Sequence, residues 1–183
     1  MEPTRTRKTF SGLAAAAAVC GLGLAGGSPA AAAVPPSPQI IYEQVVNLHS
    51  GKCLEVAGGS QANGARVQQY SCNGTVAQQW NKRPTSDGYF QLVVASSGKC
   101  LEIANASQAN NYRAQQNPCG SGYHQQFAQL PSGVPGYPFI VARHSGKGLT
   151  ILSESLLNGA QIVQYDTGDD GPDTLHAGDW QFR

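Results

Sequence analysis

The sequence predicts an all-β chain, a β-trefoil of three like units, from three observations. The stretch Ser50-Gly51-Lys52-Cys53-Leu54-Glu55-Val56 returns as Ser97-Gly98-Lys99-Cys100-Leu101-Glu102-Ile103. It returns again, altered, as Ser145-Gly146-Lys147-Gly148-Leu149-Thr150-Ile151. A recurrence at about 47 residues is an internal repeat, and such repeats set the architecture. Within each copy, short alternating stretches are separated by turn signals and no helical apolar period persists. The strand count then selects the closure, at about four strands per copy and about twelve in all. Three four-stranded units are fewer than the four or more blades of a propeller. An open solenoid would leave edges that need caps. Three units closing on one shared core make a β-trefoil.

The chain begins with a segment to be set apart from the fold. Arg5, Arg7 and Lys8 precede an uncharged apolar run from Phe10 to Gly26, and small residues follow from Ala30 to Ala33. A basic start, a short apolar core and an Ala-x-Ala exit predict a secretory signal over residues 1–33, hence a secreted protein. The run is short and Gly-rich for a membrane span of roughly 20 residues, so no membrane association is expected after cleavage. Pro35-Pro36-Ser37-Pro38 predicts an extended leader over 34–39. The trefoil domain is expected over 40–183, as one core of ordinary domain size. Without the leader's three cations and Glu2, the net charge moves from +1 to about −1. The remaining cations are scattered, which leaves no footprint for nucleic acid or an anionic membrane.

The three repeats run over about 40–84, 89–131 and 139–183. About half the positions from Ser50 to Trp80 and from Ser97 to Phe127 are identical. Ser-Gly at 50–51, 97–98 and 145–146 marks one tight turn per repeat. Asn63-Gly64 and Asn158-Gly159 mark another, because both residues accept positive φ. Of the five cysteines, four lie in the expected mature chain, where export makes disulfides the default. Cys53 and Cys72 have the same separation as Cys100 and Cys119, and each pair falls within one repeat. The expected bridges are therefore Cys53–Cys72 and Cys100–Cys119. Gly148 and Thr167 occupy these places in the third repeat.

Strand alternation places the side chains. Leu54 and Val56 face the core, so Cys53 and Glu55 face outward. Gln68, Tyr70 and Cys72 share a face on the partner stretch, and the bridge would join the two outward faces into a shallow surface site. A carboxylate accepts from adjacent sugar hydroxyls, an aromatic ring covers a C–H face, and an amide both donates and accepts. The plain alternative is an exposed Glu beside an exposed Tyr. Trp80, Phe127 and Trp180 are expected in the core, and the inward Gln69, Gln116 and Gln164 at buried backbone groups.

The combined pattern of Ser-Gly-Lys-Cys-Leu-Glu-Val, Asn-Gly-Ala-Arg-Val-Gln-Gln-Tyr-Ser-Cys and Gln78-Gln79-Trp80 resembles the ricin B-chain-like lectin family, whose repeats end in Gln-x-Trp. That motif recurs as Gln125-Gln126-Phe127 and, degraded, as Gly178-Asp179-Trp180. The resemblance covers essentially all of the expected mature chain and implies a β-trefoil that binds carbohydrate. The family's sugar-binding Asp falls on Glu55, Glu102 and Thr150. Its stacking aromatic falls on Tyr70, Asn117 and Tyr165. Its Gln two residues earlier falls on Gln68, Gln115 and Val163, and the Asn before the motif on Ala77, His124 and Ala177.

No repeat is complete. The first is expected to bind best, through Glu55, Gln68 and Tyr70, with Gln78 bracing the site or touching sugar. A weaker second site would use Glu102, Gln115, His124 and Gln125, and the weakest would rest on Tyr165. The competing reading is a non-sugar interaction or inhibitor-type trefoil with decayed sugar sites. No enzyme is expected, since the chain lacks Gly-x-Ser-x-Gly, His-Glu-x-x-His and P-loop signatures. No cofactor or metal is expected either. Asp166, Asp169, Asp170 and Asp173 fail EF-hand spacing, with Gly168 third and Ala177 twelfth. A monomer is expected.

Overall fold

The computed structural model describes residues 39–167 and 177–183. Asp169, Asp170 and Asp173 of the acidic loop, and the signal segment, lie outside the described residues. Among the described residues there are twelve strands: β1 (Glu43–Asn47), β2 (Cys53–Val56), β3 (Ala65–Tyr70), β4 (Gln79–Pro84), β5 (Phe90–Val94) and β6 (Cys100–Ile103). The others are β7 (Tyr112–Asn117), β8 (Phe127–Leu130), β9 (Phe139–Ala142), β10 (Gly148–Ile151), β11 (Ile162–Tyr165) and β12 (Trp180–Phe182). Single 3-10 turns join some of them, and no α-helix occurs among the described residues.

The pairings close two rings. β1–β4–β5–β8–β9 run antiparallel in that order, β12 pairs β1, and a Phe139–Asp179 bridge closes the barrel. Closure removes the exposed edges that an open sheet would present. The other six strands form hairpins β2–β3, β6–β7 and β10–β11. They meet through β3–β7, β7–β11 and a Gln68–Gln161 bridge. A six-stranded barrel capped by a triangle of hairpins is the β-trefoil arrangement.

The sequence pattern explains why each unit closes. The glycines of the three Ser-Gly turns have φ of 65°, 67° and 70°, a region open to a residue without Cβ. Leu54, Leu101 and Leu149 enter one core with Trp80, Phe127 and Trp180, all fully buried. The Trp80 indole donates to the Leu54 carbonyl at 3.0 Å and Trp180 to the Leu149 carbonyl at 2.8 Å. Both buried N–H groups are thus satisfied, as burial demands.

Gln69, Gln116 and Gln164 link the units cyclically. Gln69 donates to the carbonyls of Ser155 and Leu157, Gln116 to those of Ser60 and Ala62, and Gln164 to those of Ser107 and Ala109. Each repeat's glutamine therefore holds a loop of another repeat. The two disulfides, Cys53–Cys72 and Cys100–Cys119, each span 19 residues. Closing loops of that length contributes about 3 kcal/mol apiece in the chain-entropy picture. In the third repeat the Thr167 Cγ2 methyl lies 2.6 Å from where a Cβ on Gly148 would sit. A methyl group there fills space that sulfur fills in the other two.

Candidate functional site

β2 and β3 carry the first-repeat residues on one face. Cys53 lies opposite Tyr70 and Glu55 opposite Gln68, and cross-strand partners share a side of the sheet. Tyr70 is 38% exposed, whereas Glu55 retains only 6% of its surface. The expected shallow setting is therefore corrected to a recessed one. Alternation turns Glu55 away from the core, but the amides of two glutamines cover it. Gln68 donates to Glu55 Oε1 at 2.9 Å and Gln78 to Oε2 at 2.7 Å. Gln78 is fully buried, donates also to the Ser71 carbonyl and accepts from the Asn73 N–H. It braces the carboxylate and has no surface with which to touch a ligand. Arg66 donates to Gln68 Oε1 at 2.7 Å and orients that amide.

The second repeat copies this frame with a different outcome. Gln115 and Asn117 donate to Glu102 Oε1 at 2.8 and 2.5 Å, and Gln125 donates to Oε2 at 2.8 Å. His124 Nε2 lies 3.5 Å from Oε2. Burial pushes the Glu102 carboxyl up, but hydrogen bonds from Gln125, Gln115 and Asn117, with the charge of His124, outweigh it and hold the group below the usual carboxylate range. A carboxylate has about four lone-pair sites. Glu102 meets three amide donors and an imidazole, while Glu55 meets two amides.

Asn117 lies across the strand pair from Cys100, where the first repeat has Tyr70. From sequence it reads only as a lost aromatic ring. In the fold it is a donor that occupies the carboxylate. It also accepts from the Gly64 N–H at 3.0 Å, so it binds the first and second repeats together. In the third repeat Tyr165, 39% exposed, lies across from Gly148, and Thr150 faces Val163. No carboxylate stands at that position. Lys147 pairs with Asp166, which also accepts from Asn110 at 3.0 Å. The structure thus gathers Glu55, Gln68, Tyr70 and Gln78 in one group and Glu102, Gln115, His124 and Gln125 in a second. Tyr165 has no counterpart of Glu55 or Glu102 on its partner strand, where Thr150 stands. Arg66 and Asn117 carry no repeat signature that marks their roles.

The closed barrel, its cap of three hairpins and the amide-braced carboxylates define a trefoil of the lectin class. The chain belongs to the ricin-type β-trefoil lectin domain-like family, whose model matches residues 40–111 and again 77–165. No curated protein matches it. Among solved structures it is similar to ThreeFoil, a designed 3-fold symmetric protein, at 37% identity and a TM-score of 0.71, over 77% of this chain and 96% of that one. It is also similar to an exo-β-1,3-galactanase from Clostridium thermocellum, at 30% identity and a TM-score of 0.72, over 79% of this chain. The match spans only 30% of the galactanase chain. The C-half of an earthworm R-type lectin, solved with GalNAc, shares the fold at 14% identity and a TM-score of 0.58, over 78% of this chain and 97% of that one.

Proposed function

We propose that this chain is a secreted carbohydrate-binding protein, without hydrolytic activity of its own, that holds a neutral sugar at the first repeat. Each of its three repeats of about 47 residues would offer one position for such a site, and the three are unequal. The observation that carries the reading is the unfilled acceptor capacity of Glu55 beside an exposed Tyr70 on the same face. Adjacent sugar hydroxyls would donate to the remaining lone pairs of Glu55, while Tyr70 covers the ring's C–H face. Gln68 and Gln78 hold the carboxylate in place, so little side-chain freedom is lost on binding. The family supports a carbohydrate ligand. The galactanase likeness makes β-1,3-galactan and galactose the first probes to try.

The test compares wild type with Tyr70→Ala on immobilised β-1,3-galactan and on a glycan array. Removing an aromatic stacking partner weakens binding by about 3- to 10-fold. Wild type and variant should therefore separate on whichever glycan is retained. Equal binding of the two on every retained glycan overturns the first-repeat site. If wild type retains no glycan at all, the carbohydrate reading itself falls, and the non-sugar interaction reading takes its place.

A further inference from the structure

Beside Glu102 the second repeat builds something that the first does not have. Tyr123, 55% exposed, stands one residue before His124. The Arg143 guanidinium lies 3.9 Å from the Tyr123 ring centroid and 4.3 Å from that of Tyr89. It is thus sandwiched between an exposed and a half-buried ring. Arg143 also pairs with Asp87 and donates to Gln126 Oε1 at 2.7 Å. A planar cation held by these partners pins the inner face of Tyr123 and leaves the rest of the ring to solvent. The His124 ring meets the His144 ring edge-on, with centroids 6.4 Å apart.

Room has been made for His124. A Cβ placed on Gly122 would fall 2.4 Å from His124 Cε1, so the imidazole occupies the space that any larger residue at 122 would fill. The first repeat has Thr75 and Ala77 at these positions, and the second has Gly122 and His124. The two differences are complementary in volume. The exposed Val76 of the first repeat becomes Tyr123 in the second.

We propose that the second repeat engages carbohydrate through the Tyr123–His124 ledge at the seam with the third repeat, and not through Glu102. Glu102 already accepts from three amides and is approached by an imidazole, and Asn117 has replaced the ring that would stack there. Tyr123 supplies an aromatic ring fixed before the ligand arrives, and His124 supplies a partly exposed polar rim. An oriented ring with hydrogen-bonding groups at its edge fits the amphipathic face of a neutral sugar. This inference rests on the carbohydrate reading of the family, but it uses different residues from the first-repeat site.

The experiment titrates the full mature chain with galactose and with soluble β-1,3-galactan fragments, reading backbone amide shifts by NMR. Saturable shifts are expected at Tyr123, His124 and His144 as well as around Tyr70. Tyr123→Ala should abolish the first set and leave the second intact, and Tyr123→Trp should restore it. On immobilised galactan, loss of one of two cooperating sites should reduce retention by about 10-fold or more. Shifts around Tyr70 alone, or ledge shifts that persist in Tyr123→Ala, overturn the ledge and leave the first-repeat site standing. Shifts at the ledge alone support it and overturn the first-repeat site. Shifts at neither overturn both for these sugars. Unchanged amide spectra elsewhere in the variant show that the fold is kept.

Discussion

His144 shows how a single side chain can set the pH response of this fold. Its Nε2 lies 2.9 Å from the Ser107 carbonyl, and its Nδ1 is buried without a partner. Hydrogen bonding to a carbonyl places the proton on Nε2, so a second proton would have to enter the buried Nδ1 side. Burial pushes the imidazole down, the Ser107 carbonyl pulls it up, and the neighbouring His124 adds repulsion. The net position is below the ordinary imidazole value. The unfolded chain therefore takes up a proton first as pH falls, and protonation favours unfolding. The neutral imidazole's contribution to stability is fully present above its ordinary value and is lost as pH falls through the folded one. The unfolding midpoint should fall as pH is lowered from about 7 to about 5.5. In His144→Ser, which installs the residue found at Ser96 of the middle repeat, that slope should flatten. Glu102, also held low, acts in a more acidic window, because its stabilisation is present above the ordinary carboxylate value and lost only below it. A thermal-melt series across pH separates the two, and an unchanged slope in His144→Ser removes His144 as the cause.

The loop after the second strand of each repeat shows one shape made by unequal residues. Gly58 and Gly59 have φ of 61° and 63°, and Asn105 and Ala106 repeat this at 56° and 49°. Ser153 and Glu154 repeat it again at 56° and 53°. Left-handed backbone costs a residue with a Cβ about 1–2 kcal/mol, so only the first repeat forms the loop without strain. Ala106→Gly and Glu154→Gly should each stabilise the protein by about 0.5–1 kcal/mol after the added freedom of the unfolded chain is counted. That corresponds to a midpoint about 2 °C higher. Gly58→Ala should move it the other way. Calorimetry of the three variants checks both signs, and a fall in both glycine variants would refute the strain. The same loops mark where sequence reasoning ends. Leu54, Trp80, the four bridging cysteines and the inward Gln69 were legible, because alternation and repetition specify a direction relative to the core. Whether the outward side is open was not legible. Glu55 faces away from the core and is still covered, because its cover comes from Gln68 and Gln78, 13 and 23 residues further on. The Tyr89–Arg143–Tyr123 stack was equally hidden, since no periodicity links three residues that lie in three separate connections between strands.

At the scale of the molecule, three near-equal units meet on an axis that one side chain occupies. Residues 66, 113 and 161 are equivalent in the repeat, and they are Arg, Arg and Gln. Arg66 and Arg113 are exposed. Gln161 turns inward, and its Nε2 lies 2.8 Å from the Val67 carbonyl, 3.0 Å from that of Ala114 and 2.8 Å from that of Ile162. Those three acceptors are themselves equivalent, one from each hairpin of the cap, and their residues are fully buried. One amide thus satisfies a carbonyl from every repeat, with two N–H groups shared among three oxygens. The break in the repeat at 161 lets one amide serve all three carbonyls, while Arg66 and Arg113 at the equivalent positions stay outside. Leaving buried carbonyls without a donor costs about 1–3 kcal/mol each before water or rearrangement offsets it. Gln161→Ala should lower stability by about 2–4 kcal/mol in chemical denaturation. Gln161→Met, which keeps much of the volume and removes the N–H groups, should cost nearly as much. If the methionine variant instead lies within about 0.5 kcal/mol of wild type, an ordinary surface effect, packing and not hydrogen bonding holds the three hairpins together.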